Sequence, residues 1–535
     1  MISKLLRASE KSTAELLDLS SEFQGQYEAR TSLDERKKRG QFFTPPPVAR
    51  FMAGLLSKFP QRIKVLDPGA GIGILSAAVC ERTLRLRSPR HVELVLYETD
   101  QAVIRLLDEN MTRCRSVLKS AGHTLTYEIH AKDFILSNRH AFQQPTLFDV
   151  RPQLTEFDAV IMNPPYFKIR KNSAYARIME RTVHGQPNIY ALFMALAAEM
   201  LRPGGELVAI TPRSFCSGVY FRGFRRWFLG RMSLRHIHLF ESRKDMFRSA
   251  KVLQESVITS TARTTKPLNT ITVTTTFGAD MLQEPHSRQT ATTKVIDDSS
   301  GNMVIRIPEN AQDARIMDVI ESWPKRFADH GLCVSTGPVV LFRSTAFLLD
   351  NPNARNAAPL LTMRNVQRFE TVWPLQANGK PAAFKVCTES LNRRLLLPTR
   401  NYVLLRRFSA KEERRRLTAS CFLKANEPGP YVALENHLNY IYHAERELTN
   451  NETYGLAGIF NSALLDRYFR TLSGNTQVNA TELRAMNFPD LETISRIGRR
   501  INTLRDFAAS KVEHIILDEL GVNGILERYL MEFAR

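Results

Sequence analysis

Along residues 40–262, short runs of β-branched and aliphatic residues alternate with longer stretches in which apolar positions recur every three or four residues. The short runs are 64–67, 92–97, 126–130, 158–162, 206–211, 236–239 and 255–261. Runs of this kind read as buried strands, and the periodic stretches between them as connecting helices. Seven strands alternating with helices predict an α/β domain, Rossmann-like, with a mostly parallel seven-stranded sheet. Residues 1–39 lack the alternation and predict a charged helical arm ending in Arg36-Lys37-Lys38-Arg39. Residues 266–300 shift to Thr and Ser with Gly278, Pro285 and Asp297-Asp298, which predicts a linker. Residues 301–535, rich in Arg, Asn and aromatic side chains, predict a second, mixed α/β domain. The α/β domain is accordingly expected over 40–265.

Composition narrows the class. With 43% hydrophobic and 24% charged residues, a chain of 535 residues can bury full cores and is not a disordered polymer. The longest strongly apolar run, 189–201, already contains Glu199 and falls short of the roughly 20 residues that span a bilayer. No membrane span is expected. The first ten residues lack a signal-peptide core, so the expected location is cytoplasmic. Six scattered cysteines form no CxxC pair and have no His at zinc-ligand spacing, which predicts reduced thiols and no metal site. The 74 Lys and Arg outnumber 54 Asp and Glu, a net charge of +20 that suits nucleic acid, an anionic membrane surface, or merely a soluble basic protein. Charge alone does not choose among them.

Candidate chemistry does. Strand 64–67 runs into Asp67-Pro68-Gly69-Ala70-Gly71-Ile72-Gly73, a turn whose glycines let a ligand approach the backbone closely; tight strand–helix packing is the bland alternative. The next strand ends at Glu98, a carboxylate suited to two ribose hydroxyls. Lys132-Asp133-Phe134 follows the third, with a carboxylate for an adenine amino group and a ring for its face. The fourth stops abruptly at Asn163-Pro164-Pro165-Tyr166, where the prolines fix φ and hold Asn163 at the strand's carboxyl end. An exocyclic amine on a planar ring is a poor nucleophile because its lone pair is delocalised. Acceptance from that amine by the Asn163 side-chain oxygen and the Pro164 carbonyl would align the lone pair for attack, with Tyr166 stacked on the base.

In this order, these motifs resemble the S-adenosylmethionine-dependent amino methyltransferases. Gly40-Gln41-Phe42-Phe43-Thr44-Pro45-Pro46 upstream and a large C-terminal domain are similar to the gamma class of DNA adenine-N6 methyltransferases, the TaqI methylase type. The resemblance implies S-adenosylmethionine as cofactor, with Phe42 and Thr44 closing over its methionine end, Asp67, Gly69, Ala70 and Gly71 in the turn beneath it, and Glu98, Asp133 and Phe134 at its nucleoside. It also places Phe193, in Tyr190-Ala191-Leu192-Phe193, on the cofactor adenine. Phe247, before Lys251-Val252, would lie on the other face of a flipped base. The segment 473–484 is similar to the end of the family's target-recognition domain.

Direct transfer from sulfonium to adenine N6 needs no covalent intermediate, and no cysteine here follows a proline, as a cytosine-C5 nucleophile would. The implied partner is double-stranded DNA, from which the base must be flipped. Residues 1–39 and 491–535 are short for a nuclease domain, so a cognate restriction endonuclease is expected as a separate protein without a stable complex. Methylation of cytosine N4, or of an rRNA or protein amine, is the alternative. A non-catalytic DNA-binding protein is a third reading, disfavoured by the intact Asn163 and glycine turn.

Overall fold

The computed structural model describes residues 16–534, apart from 19, 33, 37–39, 41–42, 143–155, 171, 181–187, 241–255, 265, 299–300, 376–380, 388–393, 410–412, 427–428 and 473–476. The chain forms two compact units, Met1–Glu309 and Asn310–Arg535.

In the first unit, nine strands make one sheet in the order β3-β2-β1-β4-β5-β7-β6-β8-β9. They are β1 (Arg62–Asp67), β2 (His91–Tyr97), β3 (Thr124–His130), β4 (Phe157–Met162), β5 (Leu201–Pro212), β6 (Met232–Phe240), β7 (Ser256–Arg263), β8 (Thr270–Thr276) and β9 (His286–Ala291). From β3 to β5 every pairing is parallel, whereas β7 runs antiparallel to both β5 and β6. The inner strands shed side chains to two covered faces. Val65, Ala159 and Ile161 enter one apolar cluster with helices α1 (Pro46–Gly54), α2 (Ile74–Leu84) and α3 (Gln101–Ser120). Their neighbours Leu66, Val160 and Met162 enter another with helix α4 (Ile189–Glu199). Burial on both faces is why these strands read as continuous apolar runs rather than alternating ones. Helix α4 is buried on all sides from Ile189 to Ala198, which accounts for the long apolar run there.

Two expectations are corrected. Residues 266–300 are not a linker: β8 pairs parallel with β6, β9 pairs antiparallel with β8, and the sheet therefore has nine strands rather than seven. The reason is that Thr is β-branched, and Ile271 and Val273 alternate with threonines so that both enter the core. The N-terminal segment is helical over 20–30, as expected, but it is no separate arm. Leu17, Phe23 and Tyr27 are buried in the core around α3, and Tyr27 Oη donates to Asp100 Oδ2 at 2.9 Å.

The second unit is mixed α/β. It holds two five-stranded sheets and a helical core in which Asn450–Phe460 packs against Leu491–Asn502. Several Arg residues that cluster in the sequence are internal ties: Arg406 donates to the Val366 carbonyl and Arg407 to that of Asn436. Arg467 grips Asp313 through both carboxylate oxygens.

The turn after β1 depends on Gly73, which sits at φ +85° and would place a Cβ 2.7 Å from Leu107 Cδ1 and 2.9 Å from Met111 Cε on α3. Gly73→Ala is therefore expected to destabilise the protein by about 1–3 kcal/mol, combining backbone strain with overpacking. An unchanged denaturation midpoint would contradict this packing.

Candidate active site

Strand β1 has β2 on one side and β4 on the other, so the direction of the crossovers reverses there. Open α/β sheets form a crevice at such a point, outside the carboxyl ends of the strands. A cavity of about 670 Å³ occupies that edge. Of the residues expected to act, Thr44, Gly69, Ala70, Gly71, Glu98, Asp133, Phe134, Asn163 and Phe193 all line it. Pro164 and Tyr166 are buried beside it without lining it. Phe42 and Phe247 lie outside the described residues.

Backbone hydrogen bonds hold the turn in place. Ala70 N donates to the Tyr97 carbonyl at 2.9 Å, which ties the end of β1 to the end of β2. Glu98 caps the same junction: its Oε2 accepts from Gly71 N at 3.1 Å, and its Oε1 from Thr99 N and Asp100 N at 2.7 and 2.9 Å. Burial raises the Glu98 carboxyl above its ordinary range, while those three amides pull it back towards the charged form. Asp67 differs from expectation. It is fully buried under the turn instead of facing the cavity, and its Oδ2 accepts from Ser76 Oγ at 2.9 Å. It is the last residue of β1, and it supports the turn from below.

Asp133 caps the short helix Phe134–Ser137, with Oδ1 accepting from Leu136 N at 2.8 Å. Its other oxygen accepts from Tyr175 Oη at 2.7 Å. Burial and the adjacent carboxylate push the Tyr175 phenol up to about 12, so it remains a donor. Phe134 lies between Tyr97 and Phe193, with ring centroids 5.2 and 5.3 Å away. Sequence reasoning missed several lining residues, Phe43, Tyr97 and Tyr175 among them. Phe43 packs beneath Gly71 and is the neighbour of Phe42; Tyr97 directly precedes Glu98. Tyr175 belongs to no motif, and only the fold of the helix Ala174–Ile178 brings it to Asp133.

At the end of β4, Asn163 Nδ2 donates to Thr44 Oγ1 at 3.0 Å. Asn163 Oδ1 accepts from Tyr166 Oη at 2.6 Å, and the same hydroxyl lies 3.0 Å from the Ile210 carbonyl. Burial holds the Tyr166 phenol well above its ordinary range, so the hydroxyl keeps its proton. Its ring stands perpendicular to that of Tyr190, 6.2 Å away.

Known proteins resemble the chain in sequence. The Eco57I restriction-modification methylase family model matches residues 75–247. Over 494 residues the chain is 33% identical to the type II methyltransferase M.PstI of Providencia stuartii, covering 92% of this chain and 95% of that protein. The chain belongs to the type II restriction-modification methyltransferase family. M.BsuBI of Bacillus subtilis, another family member, is 32% identical over 503 residues, covering 91% of this chain and 96% of its own length. Similarity to the family therefore runs through both compact units, and is not confined to the cavity.

Burial pushes the Asp67 carboxyl up from 3.8 to about 7, with the Glu98 charge adding to the shift. The folded protein then holds a proton that the unfolded chain releases. This contribution to stability is complete below pH 3.8 and is lost as the pH rises to about 7. Asp67→Asn, which cannot ionise, should therefore gain melting temperature relative to the native protein between about pH 4 and pH 8. A difference that stays constant over that range would refute the assignment.

Proposed function

We propose that the chain is a sequence-specific DNA methyltransferase that moves the methyl group of S-adenosylmethionine to the N6 amino group of adenine in duplex DNA. The observation that carries this reading is Asn163, held at the end of β4 and opening onto the same cavity as the glycine turn and Glu98. Membership of a restriction-modification methyltransferase family supports the same conclusion.

The cavity residues fit S-adenosylmethionine. Glu98 is a carboxylate for the ribose hydroxyls, Asp133 one for the adenine amino group, and Phe134 and Phe193 offer ring surfaces. The backbone is open at Gly69, where even a Cβ would have only ordinary contacts, 3.8 Å to Phe193 and 3.9 Å to the Asn163 carbonyl. When bound, the cofactor supplies an electrophilic methyl group. The chain's part is to prepare the amine. Asn163 Oδ1 and the Pro164 carbonyl accept from the N6 amino group and draw it out of conjugation, which aligns its lone pair. Transfer is direct. The target adenine has to leave the duplex stack at a cost of a few kcal/mol, offset by stacking on Tyr166 and Phe247.

The second unit is assigned target recognition, and the charge of +20 favours a polyanionic partner. Methylation would protect host DNA from a cognate endonuclease carried on a separate chain without a stable complex. The protein is assigned to the cytoplasm; among the described residues, no helix is long and apolar enough to cross a membrane.

Incubation with radiolabelled cofactor and duplex DNA, followed by digestion to nucleosides, should place the label in N6-methyladenine. Label in N4-methylcytosine would redirect the base assignment, and label only in RNA or protein would sink it. Asn163→Ala should bind cofactor normally and lose turnover by at least about 100-fold. Tyr175→Phe removes one hydrogen bond to Asp133 and should weaken cofactor binding by about 3- to 10-fold without changing saturated turnover much. Equal affinity in isothermal titration would remove Tyr175 from the site.

A further inference from the structure

We propose that Tyr220 is the side chain with which the first unit enters the duplex when the target base is turned out: its ring takes up stacking that the departing base gives up. The proposal rests on the amino methyltransferase reading and deepens it, because that reading supplies surfaces for the flipped base and none for the duplex left behind. Turning a base out breaks its stacking on both neighbours, and an apolar or aromatic side chain inserted between base steps restores part of it. Such a side chain has to be exposed before DNA arrives, carried on backbone that does not yield, and close to the place where the base is received.

Tyr220 meets all three conditions. It is 65% exposed, more than any other large apolar or aromatic residue described in the first unit, and among the described residues its ring meets no other ring. A single exposed ring is ordinary on a protein surface, so its placement decides. β5 pairs in parallel with β4, Met162 opposite Ala209, and runs on to Pro212, so the chain leaves it at the edge where Asn163 stands. Tyr220 lies in the segment that follows, between the short turn Arg213–Phe215 and helix α5 (Arg222–Leu229). The ring of its neighbour Phe221 stacks on Tyr190 at 5.5 Å, and Tyr190 stands 6.2 Å from Tyr166. Phe221 is thus no more than about four base-pair steps from Tyr166, at about 3.4 Å a step. Arg225 pins the backbone: its buried Nη1 donates to the Phe215 and Gly218 carbonyls at 2.9 and 2.8 Å, and its Nε to that of Asn302 at 3.0 Å. Gly218 passes so close to the turn that a Cβ there would lie 2.6 Å from the Ser214 carbonyl oxygen. Beyond Tyr220, Arg222 and Arg226 are one helical turn apart on α5, both exposed and, among the described residues, in no ion pair. A bare ring beside two free cations suits a polyanion that carries stacked bases, and suits it better than an apolar protein face.

The test separates insertion from a structural role. On a duplex carrying the methylated site, Tyr220→Ala should lower kcat/KM by about 5- to 100-fold, the worth of one base–aromatic stack. Its melting temperature should be native and its Kd for S-adenosylmethionine within about twofold, since the ring is exposed and outside the cavity. Tyr220→Phe keeps the stacking surface and should stay within about threefold of native. A mismatch opposite the target adenine lowers the cost of turning it out, so on that duplex Tyr220→Ala should return to within about threefold of native. With 2-aminopurine in place of the target adenine, the native protein should raise its fluorescence on binding, and Tyr220→Ala should lose most of that rise. Equal loss on matched and mismatched DNA, or native activity on both, overturns the proposal. Asn163→Ala is run in parallel. Native turnover in that variant defeats the underlying reading, whereas an inactive Asn163→Ala beside a fully active Tyr220→Ala defeats only the role of Tyr220.

Discussion

The register between β1 and β4 is the constraint from which the site follows. Val65 pairs with Ala159 and Leu66 with Val160, in parallel. Both strands therefore run out at the same edge of the sheet, the glycine turn from one and Asn163 from the other. A Cβ added at Gly69 would lie 3.9 Å from the Asn163 carbonyl, so the two turns are in near contact. A shift of one residue in this pairing would send each side chain of β4 to the opposite face and take Val160 and Met162 out of the cluster that holds α4. Apolar burial on both faces, more than any single polar contact, fixes the geometry of the polar groups at the edge.

Those polar groups illustrate how burial tunes chemistry from several directions. Glu98 and Asp67 both lose hydration, which raises both carboxyls, yet they end differently because their partners differ. Glu98 faces the cavity and receives three backbone amides, which favour the charged form. Asp67 is enclosed beneath the turn, where the neighbouring Glu98 charge raises it further. One carboxylate is presented to the cavity and the other supports the backbone. Tyr166 makes the same point for a neutral group: a phenol this deeply buried keeps its proton, so the hydroxyl contacts that Thr44 and Tyr166 make with Asn163 carry no charge. Such a network can orient an acceptor without competing electrostatically for the sulfonium that the proposed reaction requires.

Much of this could be read in the sequence where the signal was local. The inner strands showed in apolar runs because both their faces are covered, and the glycine turn, Glu98, Asp133 and Asn163 showed because each sits at a strand end. Two kinds of feature were not legible. The first was position relative to a surface: Asp67 is in the motif yet points beneath it, and the side chain of a residue ending a strand can take either side. The second was contact made by the tertiary fold alone, as between Tyr175 and Asp133 or between Thr44 and Asn163, across 42 and 119 residues of chain. The Thr- and Ser-rich segment misled for a different reason. Composition there suggested a linker, while the alternation of Ile271 and Val273 with threonines carried the strand.

The charge of +20 also has to be divided according to where its cations sit. Arg467 with Asp313 and Arg470 with Asp466 form closed pairs that cancel and add nothing to the outer field. Arg225, Arg406 and Arg407 donate to backbone carbonyls, so part of each guanidinium is engaged while its charge persists. Residues of this second kind can help draw a polyanion in from a distance, because the long-range field depends on net charge, but they are poorly placed to grip a phosphate. Direct contacts need exposed guanidinium groups. In the second unit these include Arg343, Arg364, Arg394, Arg400 and Arg414, none of them in the tied set. For a DNA partner, attraction and grip would then come from different arginines. Removing an exposed one should reduce the salt dependence of binding, whereas removing a tied one should act mainly through the fold.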